Sequence, residues 1–152
     1  GVRLDLNALI AEFSAMLELP AVNAALHRSA YDSLAALGIG TAGLGRAPRD
    51  LRLTVEAERS FAIREENQVM TGSIDRLVLI HDGPQLVAAD IIDFKSDALA
   101  ASDRAELAAR ADFYRPQLHA YRRAVAKLTL LAEPCIAARL VFVAAGVVEP
   151  VG

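Results

Sequence analysis

The chain has a single cysteine, Cys135, in 152 residues. A lone thiol closes no internal disulfide and builds no four-cysteine zinc or iron–sulfur site. Pro134-Cys135-Ile136-Ala137 leads into an apolar run, so a buried core thiol is expected rather than a nucleophile. A reducing, cytoplasmic compartment is the matching expectation. No apolar run is long enough to span a bilayer and no basic-then-apolar leader is present, so neither a membrane segment nor a signal peptide is expected. A basic surplus is missing as well. The net charge of −3 argues against a free-standing nucleic-acid binder, although a local basic patch stays compatible with it. Repeats and low-complexity tracts are absent. The chain begins Gly1-Val2 rather than with Met, so a piece of a longer chain is expected.

What is there is a globular composition. Hydrophobic residues make up 54% and charged residues 23%, and the length suits one domain with a real core. Residues 1–50 form a helical part and a loop. Leu6, Leu9, Ile10, Phe13, Met16 and Leu17 fall at helical spacing over 5–18, with Asp5 or Asn7 as cap. Pro20 opens a second helix, expected to run to Leu37 and end at Gly38. Residues 38–50 are rich in glycine and small residues and predict a flexible connection; no Gly-Lys-Ser/Thr follows, so they are not a phosphate-binding loop.

From Leu51 the period changes to two. Leu51, Leu53 and Val55 alternate with Arg52, Thr54 and Glu56, and the run continues to a turn at Glu65-Glu66-Asn67. A second strand runs from Val69 to Ile80, with a bend at Gly72. His81-Asp82-Gly83-Pro84 turns the chain into a third strand, Gln85 to Phe94. Residues 97–112 predict a loop or short helix, and Tyr114 to Leu130 a strong helix with Pro116 in its first turn. Ile136 to Ala144 is a further strand and 147–151 a possible last one. The order gives an α/β fold: a three-stranded antiparallel meander, a helix and one or two further strands in a central mixed sheet, with N-terminal helices.

The third strand ends in Ile92-Asp93-Phe94-Lys95. On a strand, Asp93 and Lys95 share a face and Phe94 takes the other. The pair is open to two readings, a structural ion pair or half of a metal-dependent hydrolytic site. Asp75 lies one strand back in Gly72-Ser73-Ile74-Asp75, and Gln117 and Tyr121 lie one helix on, one turn apart. All can converge on one end of the sheet.

These motifs, in this order, resemble the RecB/AddA-type branch of the PD-(D/E)XK nucleases, most closely the nuclease domains at the C-terminal end of UvrD-like helicase chains. The matching residues are Glu58 with Phe61, Gly72-Ser73-Ile74-Asp75-Arg76, Ile92 to Asp97, and Tyr114 with Gln117-Leu118 and Tyr121. Asp-x-Lys alone has little weight; the ordered set over residues 51–150 has much more. The resemblance implies a restriction-endonuclease-like core over residues 51–152 and a Mg²⁺- or Mn²⁺-dependent deoxyribonuclease, exonuclease-like, without an iron–sulfur cluster. It implies DNA, single-stranded, as substrate, a helicase domain of the same chain and a second subunit as partners, and a role in double-strand break repair and recombination. Asp75, Asp93 and the Phe94 carbonyl would hold the metal, Lys95 would position or deprotonate the attacking water, Gln117 and Tyr121 would order the site, and Glu58 would support it.

Arg76 is as readily a salt-bridge partner as a DNA contact. Arg110, Arg115, Arg122, Arg123 and Lys127 are first a solvated helix face and second a phosphate-tracking groove, with Arg76, Arg115 and Arg122 as the candidate DNA contacts. One part of the family pattern is unmatched. A Gly-x-x-x-His histidine on an early helix usually adds a metal ligand, yet His27 is preceded four residues back by Asn23, and His81 and His119 fall elsewhere. The expectation is that this histidine lies upstream of Gly1 or is lacking. The alternative is a catalytically impaired nuclease-fold module kept for DNA binding or subunit contact.

Overall fold

Period-two alternation does build the sheet, and the computed structural model describes it through residues 5–40 and 48–152. The glycine-rich connection lies partly outside the described residues, at 41–47. The strands are β1 (Leu51–Glu65), β2 (Gln68–Asp82), β3 (Gln85–Lys95), β4 (Ile136–Phe142) and β5 (Val147–Pro150), in the spatial order of the sequence. β1, β2 and β3 form the antiparallel meander, β4 lies parallel to β3, and β5 returns antiparallel along β4. A parallel neighbour needs a crossover, and the long helix α3 (Arg104–Thr129) supplies it. Every residue of β4 is buried, as is Val87 through Asp93 in β3. Both faces of these two segments are covered, so both are largely apolar, broken only by Asp90, Asp93 and Arg139, while β1 alternates.

α3 covers one face, packing Leu107, Ala111, Leu118 and Val125 on Ile74, Ile91, Leu140 and Phe142. The other face carries α1 (Leu6–Leu17), α2 (Pro20–Leu26) and two 3₁₀ turns, Arg28–Tyr31 and Leu34–Leu37. Val22 of α2 packs with Ile92 and Val141, and Tyr31 with Val78, Ile80 and Ala88. Beneath Tyr31 the apolar layer is interrupted by one buried polar group of three. Arg139 donates to both oxygens of Asp90 and to the Tyr31 hydroxyl, and Tyr31 donates to Asp90 Oδ2 at 2.8 Å. Among the described residues no single helix is long and apolar enough to cross a membrane.

Three expectations are corrected. α3 does not begin at Tyr114: it starts ten residues earlier, at Arg104, and Pro116 sits inside it. The Asp103 carboxylate caps the helix by accepting from Glu106 N–H at 3.1 Å, and Leu107 and Ala111 bury in the core before the proline is reached. An interior proline costs a helix about 3 kcal/mol relative to alanine; burial on both sides of Pro116, at Ala111 and Leu118, holds the helix continuous across it. The second helix ends at Leu26 and does not reach Leu37. His27 is extended, with ψ 151°, and its Nδ1 accepts from Ser29 N–H, which redirects the chain into the 3₁₀ turns. Cys135 is half-buried in a 3₁₀ turn rather than a core thiol.

Candidate functional site

The site forms where two strands part. β2–β3 pairing runs from Asp82↔Gln85 to Arg76↔Ile92 and stops. Continuing that register would set Asp75 opposite Asp93. Instead the Asp75 carboxylate takes the place of the next rung: Phe94 N–H donates to Asp75 Oδ2 at 2.8 Å. Successive residues of a strand send their backbone groups to opposite neighbours. The Lys95 carbonyl accepts from Val143 N–H on the β4 side at 3.0 Å, so the Phe94 carbonyl leaves on the β2 side, beside Asp75.

Side-chain alternation slips at this point. Ile74, Leu77 and Leu79 all pack on the α3 face, although Ile74 and Leu77 differ in parity. β1 slips opposite: Leu51 and Leu53 pack on one face, Phe61 and Ile63 on the other. Glu58, at the register position facing Asp75, has φ +50°, a left-handed conformation that non-glycine residues seldom take.

Asp93 and Lys95 do share the α3 face. Lys95 Nζ stands 2.7 Å from Asp93 Oδ2, and the carboxylate is buried, at 4% exposure. The contact is an ion pair, and no further hydrogen bond reaches that buried oxygen. Burial pushes the Asp93 carboxyl above its usual range, Lys95 pulls it down, and the adjoining Asp75 carboxylate pushes it up again. Lys95 Nζ also donates to Gln117 Oε1 at 3.1 Å, and Gln117 Nε2 donates to the Tyr121 hydroxyl at 2.9 Å. Tyr121 meets Phe61 edge to face, with ring centroids 5.5 Å apart. Gly72 lets them meet: a Cβ there would lie 2.7 Å from Phe61 Cζ and 3.1 Å from Tyr121 Cε1. Gly72 therefore serves the aromatic packing behind the site, and the irregularities of β2 lie at Asp75 and at Ile80/His81 rather than at Gly72.

Asp75, Asp93, Phe94, Lys95, Gln117 and Tyr121 thus come together as one set. Glu58 is exposed on β1 and stands apart from the lysine network. The candidate DNA-contact arginines are engaged elsewhere. Arg76 donates to the Leu26 carbonyl on the α2 face at 3.4 Å, Arg115 pairs with Asp112 at 2.8 Å, and Arg122 donates to the Val151 carbonyl. Arg123 and Lys127 pair with Glu65 at the β1–β2 hairpin. His27 is exposed and held by Ser29, and His119 Nε2 lies 2.7 Å from the Gly152 carbonyl. Two further residues of the site's wall belong to the matching motifs but carry no assigned role from the sequence. The Tyr114 ring lies under Lys95 Nζ, 4.0 Å from its centroid, and its hydroxyl donates to Asp97 at 3.1 Å. The signal for Tyr114 was the spacing of 114, 117 and 121, an i, i+3, i+7 stripe.

The chemistry of this donor set fits a hard divalent cation. Two carboxylates press on each other, one buried carboxylate oxygen is met by the lysine without a further hydrogen bond, and a backbone carbonyl leaves on the same side; all are oxygen donors of the kind Mg²⁺ and Mn²⁺ take. Among the described residues no group of three or more His, Cys, Asp or Glu side chains forms a metal cluster, so two carboxylates are the side-chain share. Fold and site together define an α/β domain of restriction-endonuclease-like architecture, with an acidic pair and a lysine at a parted strand end. The chain matches the model of the PD-(D/E)XK nuclease superfamily over residues 5–151, and it belongs to that superfamily. No curated protein matches the chain.

Proposed function

We propose that this domain is a Mg²⁺- or Mn²⁺-dependent deoxyribonuclease that hydrolyses phosphodiester bonds of single DNA strands, fed by a helicase of the same chain in recombinational repair. The observation that carries the chemistry is the convergence of Asp75, Asp93 and Lys95 on the parted ends of β2 and β3. Asp75, Asp93 and the Phe94 carbonyl would hold the cation, which when bound supplies the positive charge that polarises a phosphate oxygen. Asp75 keeps the strand ends in register by occupying the Phe94 N–H, so the carbonyl of the same residue stays aimed at the site. Lys95 presents an ammonium at the site's edge, where charge builds on the phosphate in the transition state. Gln117 fixes that ammonium through its carbonyl and is fixed in turn by Tyr121. The helicase partner and the repair role rest on the ordered motif set and its resemblance to RecB/AddA-type domains. The test is cleavage of a labelled single strand with Mg²⁺, Mn²⁺ and EDTA by the wild type, Asp93→Ala and Lys95→Ala. Cleavage by the variants equal to that of the wild type refutes the assignment.

A second reading is a nuclease-fold module kept for DNA or subunit binding. It is favoured by the absence, among the described residues, of a third acidic or histidine ligand beside Asp75 and Asp93. Calorimetric titration discriminates: a domain that binds DNA yet takes up no divalent ion even with DNA present supports this second reading.

A further inference from the structure

Lysine ends a flexible four-carbon stem and delivers a point charge with no preferred plane. Something must fix it where a phosphate is to be met. In this protein Lys95 Nζ is bounded on three sides: Asp93 Oδ2 at 2.7 Å, Gln117 Oε1 at 3.1 Å and the face of the Tyr114 ring at 4.0 Å. The first two are accounted for by the acidic pair and the Gln117–Tyr121 contact. The third is held by a separate chain of contacts. The Tyr114 hydroxyl donates to Asp97, 3.1 Å to Oδ2 and 3.3 Å to Oδ1. Asp97 lies two residues beyond Lys95, so the strand end that carries the lysine also carries the tether of its cap. Arg110, one helical turn before Tyr114, faces Asp97 at 3.7 Å and steadies its charge. Phe113 meets Tyr114 edge to face at 5.1 Å, so the ring is bounded on another side too.

We propose that Tyr114 and Asp97 are positioning residues for Lys95, the tyrosine ring fixing the ammonium from the α3 side and Asp97 fixing the tilt of that ring. This rests on Lys95 being the cation that meets the phosphate. It goes further by assigning a second tether, independent of Gln117, to a residue outside the acidic pair. The rival explanation is that Tyr114 and Asp97 only dock α3 against the end of β3. Four variants separate the two. Tyr114→Phe keeps the ring and its packing but cuts the tether. Tyr114→Leu removes the ring. Asp97→Ala removes the acceptor, and Asp97→Asn keeps one.

The first readout needs no activity. A ring face over the ammonium shifts the Lys95 Hε resonances upfield. That shift is expected in the wild type and Asp97→Asn, reduced in Tyr114→Phe and Asp97→Ala, and absent in Tyr114→Leu. The second is single-strand cleavage with saturating Mg²⁺. Displacing a catalytic group by about 1 Å costs roughly 10²-fold in rate, so kcat should fall by up to that factor in Tyr114→Leu and less in Tyr114→Phe and Asp97→Ala. KM for the strand should hold, and Asp97→Asn should restore the rate. Lys95 resonances unmoved in Tyr114→Phe and Asp97→Ala overturn the proposal, and those arms stand even where the leucine variant fails to fold. So do resonances that move while kcat stays at the wild-type value, which is the docking-only result. A wild type that shows the resonance pattern and cleaves nothing overturns the nuclease assignment itself, and the contact stands without a reaction to serve.

Discussion

Gly72→Ala tests how far the lysine's position depends on packing behind it. The added Cβ would stand 2.7 Å from Phe61 Cζ, 2.9 Å from Phe61 Cε1 and 3.1 Å from Tyr121 Cε1. Carbon pairs settle at about 3.5–4.0 Å, so the Phe61 ring must retreat by roughly 0.8 Å. It has little room. Phe61 is buried among Ile63, Ile74 and the α3 face, and its other neighbour is Tyr121 itself. Inserting a methyl into such packing costs about 1–3 kcal/mol, and part of the edge-to-face contact, worth about 0.5–1.5 kcal/mol, is lost with it. A destabilisation of about 2 kcal/mol is expected in urea unfolding. The displacement then travels. Tyr121 holds Gln117 at 2.9 Å and Gln117 holds Lys95 at 3.1 Å, so a few tenths of an ångström at Tyr121 should reach the ammonium. Single-turnover cleavage should slow by about 10- to 100-fold, with strand affinity little changed. Phe61→Leu in the same chain makes room for the methyl. The double variant should recover stability by about 1 kcal/mol relative to additivity without recovering the rate, because the ring that backs Tyr121 is gone. An alanine variant that unfolds and cleaves like the wild type would refute the packing argument. One that is destabilised but cleaves normally would sever the link from Gly72 to Lys95.

Further outcomes follow from the same geometry. Asp93 has a carboxyl raised first by burial and then by Asp75, against the pull of Lys95; a raised carboxyl favours the folded state below its unfolded pKa, and that contribution is lost as pH rises through the folded value. Asp93→Asn should therefore melt above the wild type at pH 7 in EDTA, with the gap closing as pH falls into the ordinary carboxylate range. Mg²⁺ should raise the melting temperature of the wild type only, and a variant that melts lower at pH 7 would contradict the direction. Asp75 accepts from Phe94 N–H, so Asp75→Ala should be about 1–2 kcal/mol less stable than Asp75→Asn, which keeps an acceptor; both should lose cleavage, and equal stability would remove the rung assigned to Asp75. On the other face, Asp90→Ala strands the buried Arg139 guanidinium and should cost about 3–5 kcal/mol in chemical denaturation, most of it recovered when Arg139→Met is added.

Much of this was legible because the signals were periodic. The switch to period two at Leu51 marked the meander, and the largely apolar runs at 86–92 and 136–143, each broken by one charged residue, Asp90 and Arg139, marked buried strands. Asp93 and Lys95 could be set on one face because β3 is regular there. What stayed hidden depended on long-range contacts. Nothing local says that α3 runs through Pro116; that is decided by burial of Leu107 and Ala111 against the sheet. His27 breaks the second helix through a contact with Ser29 that propensity does not encode. Gly72 was visible, but its partners, 11 positions back in Phe61 and 49 ahead in Tyr121, were not. Tyr114 was visible as a motif residue, whereas its place under Lys95 required the docking of α3.

The slip at Glu58 and Asp75 ties fold to chemistry. A side chain on a regular strand stands perpendicular to the sheet and cannot reach a neighbouring strand's backbone N–H. Asp75 does reach one, at 2.8 Å. It can because alternation fails between Ile74 and Leu77, both of which face α3, so the two residues between them are free to take other directions. Arg76 turns to the α2 face and bonds the Leu26 carbonyl; Asp75 turns into the plane of the sheet. One distortion therefore does three things. It ends the β2–β3 ladder, brings a second carboxylate against Asp93, and leaves the Phe94 carbonyl without a ladder partner on the same side. Ile74 is 1% exposed in the core beside this slip, and burial is the first cause that raises the Asp93 carboxyl. A regular strand pair would give a more stable sheet with two carboxylates side by side in solvent. The slipped pair gives two carboxylates and a carbonyl against an apolar wall, an arrangement whose electrostatic strain a divalent cation relieves.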